Sequence, residues 1–249
     1  MRPGEILKME KVCQLAAETL KLASKLVQPG VTTMQINDHI HDHILSIGAR
    51  PAPLNYHGFP KSICTSVNDM VCHGVPRIDE LLKPGDIVNV DVTLELDGYY
   101  GDTSRTFFVG EVSEKAKKIT QAAQEAMYAG IAEVKAGRFT GDIGYATEQV
   151  VKLYGFHVVR DIGGHGIGRK FHMSPFVPGH GTRGTKERLR NNTCITVEPM
   201  INENSHTYTS TPIPNSTITE IKTRDGSLSA QFEHTVLVTK TGYHILTEW

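Results

Sequence analysis

Apolar residues return at helical intervals over two opening stretches. Across residues 5–27, Leu7, Val12, Leu15, Leu22 and Leu26 fall near the spacing of an amphipathic helix. Gln28-Pro29-Gly30 breaks that run, and a second helix is predicted over residues 33–47. The pair of patterns recurs later. Ser113 is placed to cap a helix over residues 114–134, Ala136-Gly137 interrupts it, and a further helix is predicted over residues 140–154. Between the two pairs the periodicity switches to two. Val88, Val90, Val92, Leu94 and Leu96 alternate onto one face, and Asp97-Gly98 is a strong signal for a two-residue hairpin turn.

The recurrence has a constant offset. Val27 and Val134, Gly30 and Gly137, Thr33 and Thr140, Ile36 and Ile143, and Gly48 and Gly155 are each 107 residues apart. So are Leu82 and Leu189, Val90 and Val197, and the acidic residues Asp91 and Glu198 that end two β-like runs. One spacing that survives two helices and a strand points to two copies of an α/β unit, with a cleft expected where their sheets meet.

Around the predicted hairpin, Thr93 faces Asp102 and Asp91 faces Ser104, which puts Asp91 and Asp102 on one face as diagonal neighbours about 7–8 Å apart at the backbone. Asn89, Thr93 and Glu95 share that face, so the hairpin taken alone favours a solvated surface. Three residues from the second copy change the picture. Glu198 precedes Pro199, which favours an extended conformation. Glu233 sits in the apolar strand-like run 228–238, on one face with Gln231 and Thr235, where a carboxylate is costly unless paired, hydrated or metal-bound. His165 lies among the glycines of residues 161–168, where the backbone can pass close to a ligand. Two Asp, two Glu and one His, with no thiolate, suit hard to borderline divalent ions such as Mn, Fe, Co or Zn. The four carboxylates would balance two such ions.

Composition narrows the class. Of 249 residues, 26 are Lys or Arg and 27 Asp or Glu, giving a net charge of -1, with 39% hydrophobic and 21% charged. That balance excludes a polycation, so DNA is not an expected partner, and it excludes a disordered acidic chain. No apolar run approaches the length of a membrane span, and the N-terminal stretch lacks the pattern of a secretory signal. The four cysteines form no C-x-x-C, which suits a reducing cytoplasm. His39, His41 and His43 look like a metal cluster, but helical geometry sends His41 away from the other two, and a solvated helix face is the expectation. The glycines of 163–168 do not fit a dinucleotide loop, and the short basic run 186–190 reads as a solvated loop rather than an RNA contact.

The segments 56–64 (YHGFPKSIC), 71–74 (VCHG), 89–92 (NVDV), 101–104 (GDTS), 163–168 (GGHGIG), 171–172 (FH), 197–200 (VEPM) and 227–235 (SLSAQFEHT) together resemble the type I methionine aminopeptidases. Each is weak alone, but eight in order are specific. The resemblance implies an α/β (α+β) pita-bread fold: one catalytic domain over residues 1–249, with pseudo-twofold halves of about 1–110 and 111–249 around a mixed, mainly antiparallel sheet. It implies two divalent ions, one held by Asp91, Asp102 and Glu233, the other by Asp102, His165, Glu198 and Glu233. Glu198, His73 and His172 would be catalytic, with a hydroxide bridging the metals attacking the first peptide bond. Tyr56, Phe59, Cys64, His73, Phe171, His172 and Gln231 would bind substrate, and Asn68, Met70 and Ser229 would hold a monovalent cation.

The implied activity is removal of N-terminal methionine from nascent polypeptides with a small second residue, by a cytoplasmic monomer in transient contact with the ribosome. Proline-specific relatives carry a large preceding domain, binding-only relatives lose ligands, and type II enzymes insert a subdomain between the positions of His172 and Glu198; none of these matches the chain. Three departures fall at the pocket. Pro53 stands where relatives often have Cys, Phe59 where they often have Tyr, and the long loop 201–224 lacks the usual Trp, Trp249 being the only one.

Overall fold

The computed structural model describes residues 1–248; Trp249 lies outside them. Four helices form where the apolar spacing places them: α1 (Pro3–Leu26), α2 (Thr33–Ser46), α3 (Glu114–Ala132) and α4 (Thr140–Tyr154). Their starts are chemically specified. The Thr32 hydroxyl accepts from Gln35 N at 3.2 Å while the Gln35 side chain accepts from Thr32 N at 2.8 Å, and Ser113 accepts from Ala116 N at 3.2 Å. Gly155, at φ 78°, ends α4 in the left-handed region.

The strands Ile87–Leu96 and Tyr99–Phe108 form the predicted hairpin, with Thr93 opposite Asp102 and Asp91 opposite Ser104. Asp97 and Gly98 both have positive φ, as a tight hairpin turn demands. Strand Tyr99–Phe108 then pairs with Ser229–Val238, which pairs with Thr193–Val197, and the sheet continues through Gly163–Ile167 to Met173–Pro178. Every strand pairing among the described residues is antiparallel. The helices cover one face. Val88, Val90, Val92 and Leu94 pack with Val12, Ala16, Leu20 and Ile40 in one core, while Ile195, Val197, Val236 and Val238 pack with Ile119, Ala123, Met127 and Ile143 in a second.

The 107-residue offset holds at the level of individual backbone bonds. Gly30 N donates to Leu82 O, and Gly137 N to Leu189 O, both at 2.9 Å. Leu82 N donates to Val31 O at 2.9 Å and Leu189 N to Arg138 O at 2.8 Å; Thr33 N donates to Glu80 O at 3.0 Å and Thr140 N to Glu187 O at 2.9 Å. Each half therefore ties its second helix to the chain entering its own strand in the same way.

Two expectations change. The hairpin face that carries Asp91 is not solvated: Asn89 is 4%, Thr93 1% and Glu95 8% exposed. A hairpin read locally cannot reveal that the second half closes over it, and here Asn89 Nδ2 donates to Gln231 O at 2.9 Å across the seam. Residues 201–224 are not a loop but largely a β-hairpin, Tyr208–Pro212 with Thr219–Thr223, which joins strand Met70–Cys72 to make a separate three-stranded sheet. One further reading agrees with the structure and one agrees in part. Lys186, Glu187, Arg188 and Arg190 are exposed around a buried Leu189, whereas of the α2 histidines only His39 is exposed; His41 and His43 are half-buried, and His41 Nδ1 lies 2.7 Å from Ser62 Oγ.

Candidate metal centre

Sheet register builds the site. Ser104 opposes Asp91 on one side and Glu233 on the other, so these two carboxylates flank it across three adjacent strands, with Asp102 two residues along on the same face. Val197 opposes His234, which puts Glu198 at the end of its strand beside the same row. His165 comes from the neighbouring strand Gly163–Ile167. That strand must come close. A Cβ on Gly164 would lie 2.3 Å from Thr196 O, so only glycine fits there.

The side chains converge. His165 Nε2 is 3.7 Å from Asp102 Oδ2 and 3.6 Å from Glu198 Oε1. Ligand atoms of Asp102, His165 and Glu233 all lie within 4.8 Å of one another, the one such cluster found among the described residues. Asp91 and Glu198 stand outside that tight triplet but line the same cavity. Asp91 Oδ1 and Glu233 Oε1 are buried and have no hydrogen-bond partner. Burial, and then the charge of Glu198, lifts the Asp91 carboxyl to about 7. Burial followed by the charge of Asp91 drives Asp102 well above the carboxylate range, and burial followed by the charge of Asp102 does the same to Glu233. Carboxylates buried in mutual repulsion, with orphaned oxygens and an imidazole nitrogen, fit divalent cations.

Further residues orient the candidate ligands. The Thr93 hydroxyl donates to Asp102 Oδ1 at 2.7 Å. Thr196 donates to Glu198 Oε1 at 2.7 Å and accepts from His165 N at 2.9 Å, tying two residues of the site together. Sequence reasoning assigned neither threonine a role, although each carries a signal: Thr93 directly opposes Asp102, and Thr196 lies two residues before Glu198 in the same β-like run. Gln231, expected in the pocket wall, is buried behind Glu198 and donates to its Oε2 at 3.2 Å; it is not among the residues lining the cavity.

The cavity holds about 310 Å³. Tyr56, Phe59, Cys64, His73, Phe171 and His172 line it as expected, together with Pro53 and the unforeseen Ile162, Phe176, Met200 and Ile218. Ile218 comes from the 208–223 hairpin, and Phe59 packs with Cys64 and Ile213. Burial pushes the Cys64 thiol well up, so it stays a neutral wall. Burial also lowers His73, and burial with His165 and His73 nearby takes His172 down to about 3, so both imidazoles are neutral. Away from the cavity, Asn68 O accepts from Ser229 N at 2.8 Å, and the buried Ser229 hydroxyl has no partner.

Comparisons with known proteins agree with this geometry. The model of metallopeptidase family M24 matches residues 7–240. A methionine aminopeptidase of Rickettsia prowazekii is 50% identical over 243 residues, covering 98% of this chain and 92% of the relative. The chain belongs to the methionine aminopeptidases of metallopeptidase family M24. The crystal structure of the Rickettsia prowazekii methionine aminopeptidase superposes with a TM-score of 0.96 at 48% identity, covering 100% of this chain and 98% of that one. A prolidase from Pyrococcus horikoshii OT3 shares only the fold, with a TM-score of 0.77 at 22% identity over 99% of this chain and 62% of its own. The pita-bread architecture and dependence on divalent metal come with membership of this family of methionine aminopeptidases.

Proposed function

We propose that this protein removes the N-terminal methionine from nascent polypeptides whose second residue is small, as a single catalytic domain with two divalent ions. The observation that carries the reading is the set of unpartnered, buried carboxylate oxygens of Asp91 and Glu233, beside Asp102, His165 and Glu198, on the floor of a largely apolar cavity. Asp91, Asp102 and Glu233 would hold one ion and Asp102, His165, Glu198 and Glu233 the other. Bound there, such ions supply Lewis acidity, acidify a water molecule and anchor a free α-amine.

The chain's own groups do the rest. Tyr56, Phe59, Cys64 and Phe171 enclose the methionine side chain, while Gln231 and Thr196 hold the Glu198 carboxylate in place. Glu198 takes a proton from the attacking water and returns it to the leaving amine. His172 donates to the carbonyl oxygen as charge develops there, and His73 contacts the scissile amide. The Asn68, Met70 and Ser229 segment is the proposed seat of a monovalent cation, supported by the unpartnered Ser229 hydroxyl. Among the described residues no helix is long and apolar enough to cross a membrane. Action as a cytoplasmic monomer that meets its substrates at the ribosome is part of the same proposal.

The test is direct. Protein stripped of metal and resupplied with Co, Mn, Fe or Zn should release methionine from Met-Ala-Ser far faster than from Met-Lys-Ser, and should leave an X-Pro peptide intact. Release that persists without metal, or a preference for the X-Pro bond, overturns the reading.

A further inference from the structure

Three histidines line the cavity, and the partner of each Nδ1 assigns its tautomer. His165 Nδ1 lies 3.0 Å from Gly166 O, and His73 Nδ1 lies 3.1 Å from Thr219 O. A carbonyl oxygen only accepts, so in both rings Nδ1 carries a hydrogen, and in the neutral form of such a ring Nε2 offers a lone pair. For His165 this is the form a metal ligand requires. For His73 it is the form that accepts a hydrogen bond from an N–H.

His172 differs. Its Nδ1 is 2.9 Å from the Tyr56 hydroxyl, a group able either to donate or to accept. That imidazole is the hydroxyl's sole hydrogen-bond partner among the described residues, so the phenolic hydrogen has no competing acceptor in the protein. A phenol, with a pKa of about 10, is a better donor than a neutral imidazole N–H, and an imidazole nitrogen is a better acceptor than a phenol oxygen. Burial also raises Tyr56, which keeps its proton in place. The hydrogen therefore runs from Tyr56 to His172 Nδ1, and His172 Nε2 bears the remaining hydrogen.

We propose that Tyr56 is a positioning residue that locks His172 in the Nε2–H tautomer, opposite to His73 and His165. The cavity then presents one imidazole donor, for the oxygen on which charge develops, and one imidazole acceptor, for the scissile amide N–H. The ring clamp supports the assignment. Phe171 stacks on His172 with centroids 4.2 Å apart, and His165 lies 4.2 Å away on a tilted ring. Tyr56 also forms part of the pocket wall, its ring 4.9 Å from that of Phe171. The residue that encloses the substrate side chain is thus the one that sets the donor. A side chain seated against Tyr56 steadies the hydroxyl that orients His172, so Tyr56 acts on turnover as well as on binding.

The role in turnover rests on the aminopeptidase reading, but the tautomer does not, and one experiment separates them. Zinc-loaded protein with 15N-labelled histidine is compared with Tyr56→Phe, which keeps the ring and loses the hydroxyl. Long-range 1H–15N spectra of the wild type should show His172 protonated at Nε2 and His73 and His165 at Nδ1. In Tyr56→Phe the His172 proton should shift wholly or partly to Nδ1, while His73 and His165 stay unchanged as internal controls of an intact site. With Met-Ala-Ser, kcat should fall about 10- to 100-fold while KM stays within about threefold. Protonation of wild-type His172 at Nδ1, or a Tyr56→Phe variant that retains Nε2–H whatever its rate, overturns the proposal. Absence of methionine release by the wild type would instead count against the aminopeptidase reading.

Discussion

The two halves share a plan and differ in one connection. In the first, strands Ile87–Leu96 and Tyr99–Phe108 are joined by a two-residue turn. In the second, the corresponding strands Thr193–Val197 and Ser229–Val238 are separated by residues 198–228, most of which form short strand Met200–Asn202 and the 208–223 hairpin. The floor of the site draws on both halves, Asp91 and Asp102 from one and His165, Glu198 and Glu233 from the other, with only Asp91 and Glu198 at equivalent positions of the repeat. What the halves do not share makes part of the wall. Ile218 reaches the cavity, and Ile213 supports Phe59, from a segment with no counterpart in the first half. Both halves thus supply the acidic cluster, and part of the cavity wall comes from the departure from the repeat.

The hardest test of that division removes one floor residue from each half. Asp102→Asn and Glu233→Gln should each lower methionine release by a factor on the order of 10³ or more, and the double variant should be no worse than either, because ligands of one centre fail as a unit. Release assays on the three proteins, with metal content measured alongside, check this. Additive losses from the two halves would mean that each operates a separate site.

Much of this was legible in the chain. The helix pairs, the 97–98 turn and the Asp91–Asp102 relation follow from local periodicity, because each depends on neighbours in sequence. The constant offset tied Glu198 to Asp91 before any contact was known. The burial of Asn89, Thr93 and Glu95 was not legible, because it depends on a strand more than a hundred residues away. The 208–223 hairpin was hidden for a different reason. Its strands, YTSTP and TEIKT, are mostly polar, the first exposed and the second largely buried, so they carry no alternating apolar face, and the pairing of the second to Met70–Cys72 is non-local. The resemblance puts Gln231 in the pocket wall, whereas its contact with Glu198 joins two strands and is not visible in the alternation along either one.

A smaller effect probes the wall. Ile218→Ala removes side-chain carbons from the cavity lining, and at about 1–3 kcal/mol per missing methylene in a tight pocket, reduced for a half-buried position, kcat/KM for Met-Ala-Ser should fall about tenfold. Metal affinity, measured by calorimetric titration with Mn, should stay at the wild-type value. A joint loss of metal and activity would show that the hairpin supports the floor as well as the wall.

The smallest expected effect measures how strongly the halves repel one another without metal. Asp91 is lifted to about 7 by burial and then by the charge of Glu198, its partner at the 107-residue offset. A carboxyl whose folded pKa lies above its unfolded value stabilises the folded state fully below the unfolded value of about 3.9, and loses that contribution as pH rises through the folded one. Metal-free protein should therefore lose stability between about pH 4 and 7, with a fall in Tm on the order of 5 °C. Metal-loaded protein should change little over the same window, since the cations replace the protons. Glu198→Gln removes the charge from the other half and should flatten the metal-free slope without abolishing it, because burial is the larger cause. Thermal melts of both proteins at matched ionic strength decide the matter. An unchanged slope in Glu198→Gln would assign the whole lift to burial and leave the halves electrostatically independent.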